Sequence, residues 1–266
     1  MEPRGSAEVL PTHTPALFER AVRQAAIRLC AGDLVALPTE TVYGLAANAL
    51  DAQAVAKIFS TKGRPASNPI IVHVASLEMA RQCVAAWPDL ADRLAAAFWP
   101  GPLTLVLSRA SCIPAIVTAG GPTVGVRWPS HPFMQAVIGA CGFPLAAPSA
   151  NAASQLSPTS AEHVLSGLGD RIRLIVDGGP AQVGIESTVV DLTKDPPQVL
   201  RPGMIHAESL LAVTGKLAGP DERGGGSGPL RSPGQLPRHY APKARLTIWS
   251  WSSEEELKAR LAQSGW

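Results

Sequence analysis

The sequence predicts an α/β fold built on a mixed β-sheet. Short apolar runs typical of buried strands alternate along the chain with longer stretches that carry apolar residues at helical spacing. Some predicted strands, such as those on either side of residues 178–187, are too close together for an intervening helix. The sheet is therefore expected to combine parallel and antiparallel neighbours. Of the 266 residues, 46% are hydrophobic and 17% are charged, which is enough for a sizeable core.

The chain begins with a predicted loose tail, residues 1–13, followed by a helix. Thr14 and Pro15 supply a capping hydroxyl and a proline at the first helical position. Gly32 can end this helix because glycine adopts the left-handed conformation of a C-cap. Leu34–Leu37 is then predicted to be a short buried strand that leads into the segment PTETVYGL.

A second helix is expected to start after Asp51, which can cap it, and to end near Lys62. The next strand, Ile70–Val74, contains one histidine. Further short strands are predicted at Leu103–Leu107, Val124–Arg127, Leu145–Ala147, Leu174–Asp177 and Thr188–Leu192, and LRPG (200–203) closes one more. Helices are predicted around residues 77–86, 89–98, 132–140 and 160–168. The last of these carries a capping box formed by Thr159 and Glu162.

The composition changes after about residue 214. Residues 215–244 are rich in glycine and proline, so a flexible linker is predicted that includes the more specific segment SPGQLPRHYAP. Arg245–Trp251 is predicted to be a strand, and two serines followed by three glutamates predict the start of a helix. Because one strand and one helix cannot bury a core, residues 245–266 are expected to be the beginning of an incomplete C-terminal domain.

Charge and cysteine content exclude several classes of protein. The formal net charge of +2 is too small for a broad nucleic-acid surface, so any recognition of phosphate must be local. The four cysteines form no CxxC pair or tight Cys/His cluster, which argues against a zinc site. Their apolar surroundings predict small core residues in a reduced, cytoplasmic protein. Neither a signal peptide nor a membrane-spanning run is expected, because no apolar stretch has the required length.

Polar side chains gather at the predicted strand ends, where ligands bind in open α/β sheets. They lie in PTET (38–41), KGRPASN (62–68), APSAN (147–151), SPT (157–159), EST (186–188) and LRPG (200–203). Hydroxyls, amides and cations brought together there suit an anion such as phosphate or carboxylate. The sequence contains no Walker A pattern, GxSxG elbow, HExxH or GxGxxG after a strand, so nucleotide binding would need another arrangement.

Each of these side chains also has a structural explanation. Lys62 and Arg64 at a helix C-terminus would stabilise the helix dipole, and Asn68 before a proline suits a turn. A single histidine within a strand, such as His73, is more often structural. Arg127 on an apolar strand is harder to explain in this way, because a buried guanidinium needs an anionic partner. The recurrence of such groups at many strand ends favours a shared binding site.

Motifs that occur in order along the chain resemble the YrdC-like threonylcarbamoyl-AMP synthase family. They are PTETVYGL, KxRPxxNP with a histidine after it, VGVRWP, APSAN followed by SPT, ESTVVDL and VLRPG. The resemblance covers about residues 15–214, and SPGQLPRHYAP is similar to the linker of the longer, two-domain members. It divides the chain into a tail (1–14), a catalytic domain (15–214), a linker (215–244) and the start of a C-terminal domain (245–266).

That resemblance implies a fold, a reaction and a set of partners. The fold would be a twisted mixed sheet with flanking helices around an open, electropositive cavity. The reaction would convert L-threonine, bicarbonate and ATP into L-threonylcarbamoyl-adenylate and pyrophosphate, with Mg²⁺ held mainly by the phosphates and no metal site in the protein. The product would pass to the tRNA threonylcarbamoyltransferase machinery, which modifies the adenosine beside the anticodon. Neither a membrane nor a stable nucleic-acid complex is required.

The same resemblance carries the family's contacts onto matching positions of this chain. On the threonine side these are Thr39, His73, Arg127, Ala147 (through its backbone) and Ser187. On the ATP side they are Lys62, Arg64, Asn68, Thr123, Ser149, Asn151, Ser157, Arg201 and the linker residue Tyr240. Lys62 and Arg64 are also expected to act in catalysis by neutralising phosphate charge, and no covalent nucleophile is required.

Two other functions remain open on the sequence alone. One is a non-catalytic RNA-binding or ribosome-maturation module that uses the same cavity, although the low net charge and an aromatic content of 5% argue against a broad RNA surface. The other is a carbamoyl-adenylate enzyme of hydrogenase maturation, in which a related domain occurs. That interpretation expects acylphosphatase and zinc-finger segments, and the sequence contains neither.

Overall fold

A computed structural model describes residues 6–219, 230–234 and 248–264. The strands in these ranges are β1 (Glu8–Pro11), β2 (Val35–Leu37), β3 (Gly44–Asn48), β4 (Val72–His73), β5 (Leu103–Ser108), β6 (Thr123–Arg127), β7 (Leu145–Ala146), β8 (Leu174–Asp177), β9 (Thr188–Asp191) and β10 (Gln198–Arg201). The helices are α1 (Pro15–Cys30), α2 (Ala52–Lys62), α3 (Leu77–Gln82), α4 (Asp89–Phe98), α5 (Pro132–Cys141), α6 (Ala161–Leu168), α7 (Ala207–Thr214) and α8 (Glu254–Ser264).

The strands of these ranges pair into one sheet in the order β1-β8-β2-β3-β7-β4-β6-β5-β9-β10. Parallel pairing joins β1 to β8, β2 to β8, β4 to β6 and β5 to β9. The remaining neighbours are antiparallel. The predicted twisted mixed sheet with flanking helices is therefore confirmed.

Helices cover both faces of the sheet, and alternating side chains of the strands fill the two layers. Val35 and Leu37 of β2 pack in one layer with α1 and α5, which contribute residues such as Leu29 and Phe133. Ala36, between them, faces the opposite layer, where α2, α4, α6 and α7 pack. Burial on both faces explains why β2 has no polar alternation in the sequence.

The N-terminal residues correct the predicted loose tail. Glu8–Pro11 form the edge strand β1 in parallel register with β8, and Leu10 is buried in the core. Helix α1 begins as predicted, because Thr14 accepts a hydrogen bond from the Leu17 backbone and Pro15 is the first helical residue. A four-residue edge strand with one buried side chain leaves too weak a pattern in the sequence to be distinguished from a tail.

Two further elements escape the sequence patterns. Strand β3 has the sequence GLAAN, whose glycine, alanines and asparagine all disfavour strands, yet it lies buried between β2 and β7. Helix α7 follows the last recognised motif and places Leu210 in the core. In both cases tertiary packing, rather than local propensity, determines the conformation.

Several predicted boundaries are shifted. The strand predicted at Ile70–Val74 is shorter and spans Val72–His73, and the helix predicted at 77–86 ends at Gln82. Ser160, rather than Thr159, caps α6 by accepting a hydrogen bond from the backbone N–H of His163. The predicted capping box is therefore wrong by one residue.

The cysteines follow the prediction only in part. Cys83 is buried and Cys141 is half-buried, whereas Cys30 and Cys112 are exposed. The prediction of core residues is wrong for these two, because Cys30 ends α1 outside its apolar face and Cys112 lies in a surface turn.

The C-terminal residues match the prediction in their helix but not in their strand. Helix α8 begins just after the two serines, as expected. Residues 248–251 are not part of a strand, and residues 245–247 of the predicted strand lie outside the described residues. None of the described helices combines the length and apolarity needed to cross a membrane. The division of the chain at 214/215 and 244/245 stays a prediction.

Candidate active site

A cavity opens among loops that adjoin the strands of the sheet, and it encloses about 500 Å³ when the solvent at its mouth is included. Its lining includes Thr39, Arg64, Ile71, His73, Arg127, Ala147, Ser149, Glu186, Ser187, Arg201 and Pro233. Among the described residues, the lining thus carries three guanidiniums and one carboxylate. A wider groove, lined mainly by residues 151–159, adjoins it and shares Glu186 and Arg201 with it.

The residues predicted from the motifs divide into three groups by position. All five residues predicted on the threonine side line the cavity: Thr39, His73, Arg127, Ala147 and Ser187. Of the residues predicted on the ATP side, Arg64, Ser149 and Arg201 line the cavity, whereas Asn151 and Ser157 line the groove. Lys62, Asn68 and Thr123 line neither space, and Tyr240 lies outside the described residues.

Two parallel strands bring the inner side chains of the cavity together. His73 ends β4 and Arg127 ends β6, and the two residues are partners in the β4/β6 register. The C-terminal ends of parallel neighbours lie at the same edge of a sheet, so both side chains enter the same loop region. The sheet, rather than a mobile loop, therefore sets the spacing between them.

Arg127 is a buried guanidinium whose anionic partner is Glu40. Its Nη2 lies 2.7 Å from Oε1 of Glu40, and the two side chains are only 5% and 4% exposed. Its Nε donates to the carbonyl of Gly101 at 3.3 Å. Burial is the largest influence on Glu40 and raises its pKa, but the charge and contact of Arg127, together with the backbone groups of Glu40 and Ser130, offset it and leave the pKa below its ordinary value. The pair is therefore ionised.

The loop that carries Glu40 is held by the side chain of Thr39. The Thr39 hydroxyl donates to the carbonyl of Val42 at 2.7 Å and accepts from the N–H groups of Thr41 and Val42, each at 3.2 Å. The carbonyl of Glu40 accepts a hydrogen bond from the Val183 N–H at 2.8 Å. These bonds hold the backbone on both sides of Glu40. The predicted contact of Thr39 with threonine stays a prediction.

His73 is a neutral imidazole in the inner part of the cavity. Burial, together with the nearby Arg127 charge, lowers its pKa to about 3. Its Nδ1 is buried and has no hydrogen-bond partner among the described residues. A structural histidine in a core is normally hydrogen-bonded, so this position favours a ligand contact over the structural explanation.

Arg201 forms a second Arg–Glu pair, on the side of the cavity that is shared with the groove. Its Nη1 is ion-paired with Glu186, and the side chains are 9% and 15% exposed. Its Nε and Nη2 donate to the carbonyl of Ser187 at 3.1 and 2.9 Å, and Nη2 also donates to the Ser187 hydroxyl at 3.0 Å. Ser157 donates to Oε1 of Glu186 at 2.9 Å. One guanidinium thus joins the start of β9 to the end of β10.

The ammonium group of Lys62 holds the loop after β7. It donates to the carbonyl of Ser149 at 2.5 Å and to the carbonyl of Asn151. Burial and the nearby Arg64 charge lower its pKa to about 7. Arg64 donates to the carbonyls of Asn68 and Pro69 at 3.0 and 2.6 Å and lines the cavity. Arg64 thus holds the loop after α2, and Lys62 holds the loop that carries the APSAN motif.

Residues 230–234 lie against the cavity. Arg231 is paired through Nη1 with the fully buried carboxylate of Asp191, at 2.5 Å. Pro233 lines the cavity, and Gly234 packs so closely on Arg201 that an added Cβ would lie 2.8 Å from Cδ of that side chain. The SPG part of the predicted linker therefore belongs to the wall of the site.

Glu40 and Glu186 are the charged residues of the site that the sequence interpretation missed. Both lie inside motifs, PTET and EST, in which the hydroxyls drew attention. The sequence did signal that an acidic partner must exist, without saying which residue it is, because a buried arginine such as Arg127 requires a carboxylate partner. The same argument applied to Arg201 would have pointed to a second acidic residue.

Family comparisons agree with this geometry. A model of the Sua5, YciO and YrdC proteins, described as telomere recombination, matches residues 28–203. The chain belongs to the Sua5/YciO/YrdC family. A second model, described as the C-terminal domain of threonylcarbamoyl-AMP synthase, matches residues 205–265. The resemblance drawn from the motifs is therefore confirmed.

Several relatives in the Sua5/YciO/YrdC family are named threonylcarbamoyl-AMP synthase. The threonylcarbamoyl-AMP synthase of Pyrococcus abyssi is 44% identical over 254 residues, which cover 93% of this chain and 75% of that protein. The Bacillus subtilis enzyme of the same name is 45% identical over 234 residues, covering 88% of this chain and 68% of that protein. The crystal structure of P. abyssi Sua5 complexed with L-threonine superposes with a TM-score of 0.88 at 41% identity, over 98% of this chain and 78% of that one.

Proposed function

We propose that this chain catalyses the ATP-dependent synthesis of L-threonylcarbamoyl-adenylate from L-threonine and bicarbonate, with release of pyrophosphate. The observation that carries the proposal is one cavity that combines a sheet-held Arg127, a neutral His73 and a separate pair of arginines, Arg64 and Arg201. The synthases related to this chain, one of them solved with L-threonine, support the same assignment.

Arg127 is suited to bind the carboxylate of threonine. Nε and Nη2 already contact Gly101 and Glu40, and no described residue accepts a hydrogen bond from Nη1. A charge-assisted hydrogen bond from this nitrogen would orient the amino acid. His73, Ser187 and Ala147 also line the cavity, and the imidazole, the hydroxyl and the backbone of these residues would contact its remaining polar groups.

Arg64 and Arg201 are suited to bind the phosphates of ATP. Both line the cavity, and Arg201 also lines the wider groove that has room for the nucleoside. We expect Mg²⁺ to enter with ATP, bound through phosphate oxygens, where it offsets negative charge beside these two cations. Lys62 and Asn68 would act one layer behind, by holding the loops that Ser149 and Arg64 occupy.

The chemistry that follows needs positioning and charge neutralisation more than a nucleophilic side chain. The threonine amine and bicarbonate form a carbamate with loss of water. A carbamate oxygen then attacks the α-phosphorus of ATP, the bond to the bridging oxygen breaks, and pyrophosphate leaves with its electron pair. Holding the carbamate in line with the leaving group is the contribution expected of Arg127 at one end and Arg64 and Arg201 at the other.

The product would serve tRNA modification in the cytoplasm. An acyl adenylate is reactive towards amines and water, so a tRNA threonylcarbamoyltransferase machinery must consume it promptly to modify the adenosine beside the anticodon. The chain itself needs no stable complex with tRNA for the adenylation step.

The test is pyrophosphate release by the purified full chain in ATP and bicarbonate, with and without L-threonine, combined with mass spectrometry of the adenylate. Threonine-dependent release and the threonylcarbamoyl-adenylate mass are expected. Arg127→Ala should lose this activity at low threonine, whereas Arg93→Ala, at an exposed position on α4, should keep it. A rate of pyrophosphate release that is the same with and without L-threonine would contradict the proposal. Salt-sensitive tRNA binding without any adenylate would favour the RNA-binding alternative.

A further inference from the structure

We propose that Glu40 is a positioning residue for threonine, which acts by holding Arg127 with its remaining guanidinium edge towards the cavity. The inference rests on the proposed function and names a residue that does not itself line the cavity. Glu40 would set the direction of the hydrogen bond that Arg127 donates to the threonine carboxylate. It would also set the net charge of the inner part of the site.

The contacts of Arg127 define its orientation. Nη2 is ion-paired with Oε1 of Glu40 at 2.7 Å, and Nε donates a hydrogen bond to the Gly101 carbonyl at 3.3 Å. A guanidinium is planar, so two contacts fix the direction of the third nitrogen. Glu40 provides the shorter and charged of the two contacts, and its loss would leave Arg127 oriented by one long hydrogen bond.

The backbone around Glu40 is built to keep that carboxylate in place. Thr39 closes the turn from 39 to 42, and Val183 donates to the Glu40 carbonyl. The ring of Tyr43 is fully buried, and its hydroxyl donates to the Gly179 carbonyl at 2.6 Å. The backbone that carries the carboxylate therefore has little freedom to follow Arg127 elsewhere, and the Glu40 side chain is itself buried, as a positioning role requires.

The charges of this part of the site match a zwitterion rather than a phosphate. Arg127 and Glu40 together carry no net charge, and His73 adds none while its imidazole is neutral. Free threonine at neutral pH also carries no net charge, whereas the phosphates of ATP are strongly anionic. Glu40 thereby makes the inner part of the cavity a poor competitor for phosphate, whereas at the other end Arg64 adds a second guanidinium to the Arg201–Glu186 pair of the lining.

Isothermal titration calorimetry of the full chain with L-threonine alone and with ATP alone tests this inference. Glu40→Gln keeps the shape of the side chain but removes its charge, and we expect the threonine Kd to rise between about tenfold and 100-fold. The ATP Kd should stay within about twofold, because no phosphate ligand is moved. Glu40→Asp keeps the charge at a shorter reach and should show a smaller rise in the threonine Kd. Glu19→Gln removes the glutamate of an exposed Glu–Arg pair and should change neither value.

A double-mutant cycle separates positioning from general structural damage. If Glu40 acts through Arg127, then Glu40→Gln should add nothing to the threonine Kd in an Arg127→Ala background. The inference would be overturned if Glu40→Gln weakened threonine and ATP binding equally. It would also be overturned if Glu40→Gln raised the threonine Kd as much in the Arg127→Ala background as in wild type. Should Glu40→Gln fail to fold, Glu40→Asp decides by the same threonine-selective criterion. If the wild-type chain binds no threonine, the proposed function itself is overturned. If the wild-type chain binds threonine and Glu40→Gln leaves the threonine Kd unchanged, only this inference is overturned.

Discussion

The two Arg–Glu pairs of the cavity use the same groups in different surroundings. Arg127 and Glu40 are almost completely buried, and only the arginine reaches the cavity lining. Arg201 and Glu186 are slightly more exposed, and both line the cavity as well as the groove beside it. In the first pair the carboxylate stands behind the arginine, and in the second it stands next to the space that a ligand would occupy.

That difference indicates how one charge pair can orient a ligand group while another competes with it. A carboxylate behind an arginine fixes its direction without repelling the ligand. A carboxylate in the lining offsets part of the attraction between its arginine and a phosphate, unless the carboxylate moves or Mg²⁺ intervenes. The inner pair is therefore a fixed receptor, and the outer pair is a site whose charge balance changes when ATP binds.

The largest expected effect comes from removing the inner arginine. Arg127→Ala should raise the threonine requirement about 100-fold, because it deletes a charge-assisted hydrogen bond. It also leaves the Glu40 carboxylate buried without its partner, so the free energy of unfolding should fall by about 3–5 kcal/mol. Steady-state pyrophosphate release and urea unfolding measure the two quantities. Arg93→Ala is the control. If Arg127→Ala left the KM for threonine unchanged, the inner pair would not be the threonine receptor and the distinction between the two pairs would be lost.

Removing the outer arginine should affect the other substrate. Arg201→Ala should raise the KM for ATP roughly tenfold and leave the KM for threonine within about twofold, because a phosphate ligand is lost. Kinetics at saturating concentrations of the second substrate separate the two values. If Arg201→Ala raised the KM for threonine more than the KM for ATP, the assignment of Arg127 to threonine and Arg201 to phosphate would be wrong.

Glu186→Gln distinguishes the pairs most sharply, because it should have the opposite sign to Glu40→Gln. Neutralising a carboxylate in the cavity lining removes repulsion of phosphate, so ATP binding should tighten roughly three- to fivefold. Titration calorimetry with ATP at low ionic strength measures the change, which should shrink with added salt. Weaker ATP binding would show that Glu186 holds Arg201 in place, as Glu40 is proposed to hold Arg127.

His73 gives the inner site a pH signature in stability. Its pKa is about 3 in the folded chain, against an ordinary value of 6.5 that applies when the chain is unfolded, so the unfolded chain binds more protons between these values. Stability contributed at neutral pH is therefore lost as the pH falls from about 6.5, by at most about 1.4 kcal/mol per pH unit. Urea unfolding near pH 7 and near pH 5 should show a smaller loss for His73→Asn than for wild type. His13→Asn, at an exposed position, should lose as much free energy of unfolding between the two pH values as wild type does. If His73→Asn also lost as much as wild type, a buried neutral imidazole at His73 would be contradicted.

The smallest expected effect concerns the segment 230–234. Arg231→Ala removes its ion pair with Asp191, and Pro233 should then contribute less to the cavity wall. We expect the KM for ATP to rise roughly two- to fivefold, because Arg231 does not line the cavity and acts only through the position of Pro233. Lys258→Ala, which breaks an exposed ion pair on α8, is the control. An unchanged KM for ATP would exclude this segment from the nucleotide side.

The gathering of polar groups at one edge of the sheet could be predicted, because these groups sit at strand ends that the apolar pattern reveals, whereas their individual ligand contacts come from the family resemblance and stay predictions. Arg127 shows this well, since an arginine on an apolar strand must be buried and paired. Its partner could not be identified from the sequence, because Glu40 approaches it only when β2 and β6 are placed in one sheet. Lys62 shows the opposite limit, because its sequence position at a helix end did not reveal that its ammonium holds the loop at Ser149.

The fold was predictable in class but not in every element. Strands β5, β6 and β8 are apolar runs that propensity and pattern identify together. Strand β3 consists mostly of residues that disfavour strands, and it exists because β2 and β7 flank it. Strand β1 is too short and exposed to leave a pattern, and it forms because the edge of β8 is available.

A crystal structure of the chain with L-threonine and a non-hydrolysable ATP analogue tests the central claim most directly. The account predicts the threonine carboxylate within about 3 Å of Nη1 of Arg127, with the Glu40 pair intact. It also predicts the phosphates against Arg64 and Arg201, with Glu186 turned away or bridged by Mg²⁺. A threonine carboxylate bound to Arg201, or phosphates bound to Arg127, would contradict the division of the cavity into an amino-acid end and a nucleotide end.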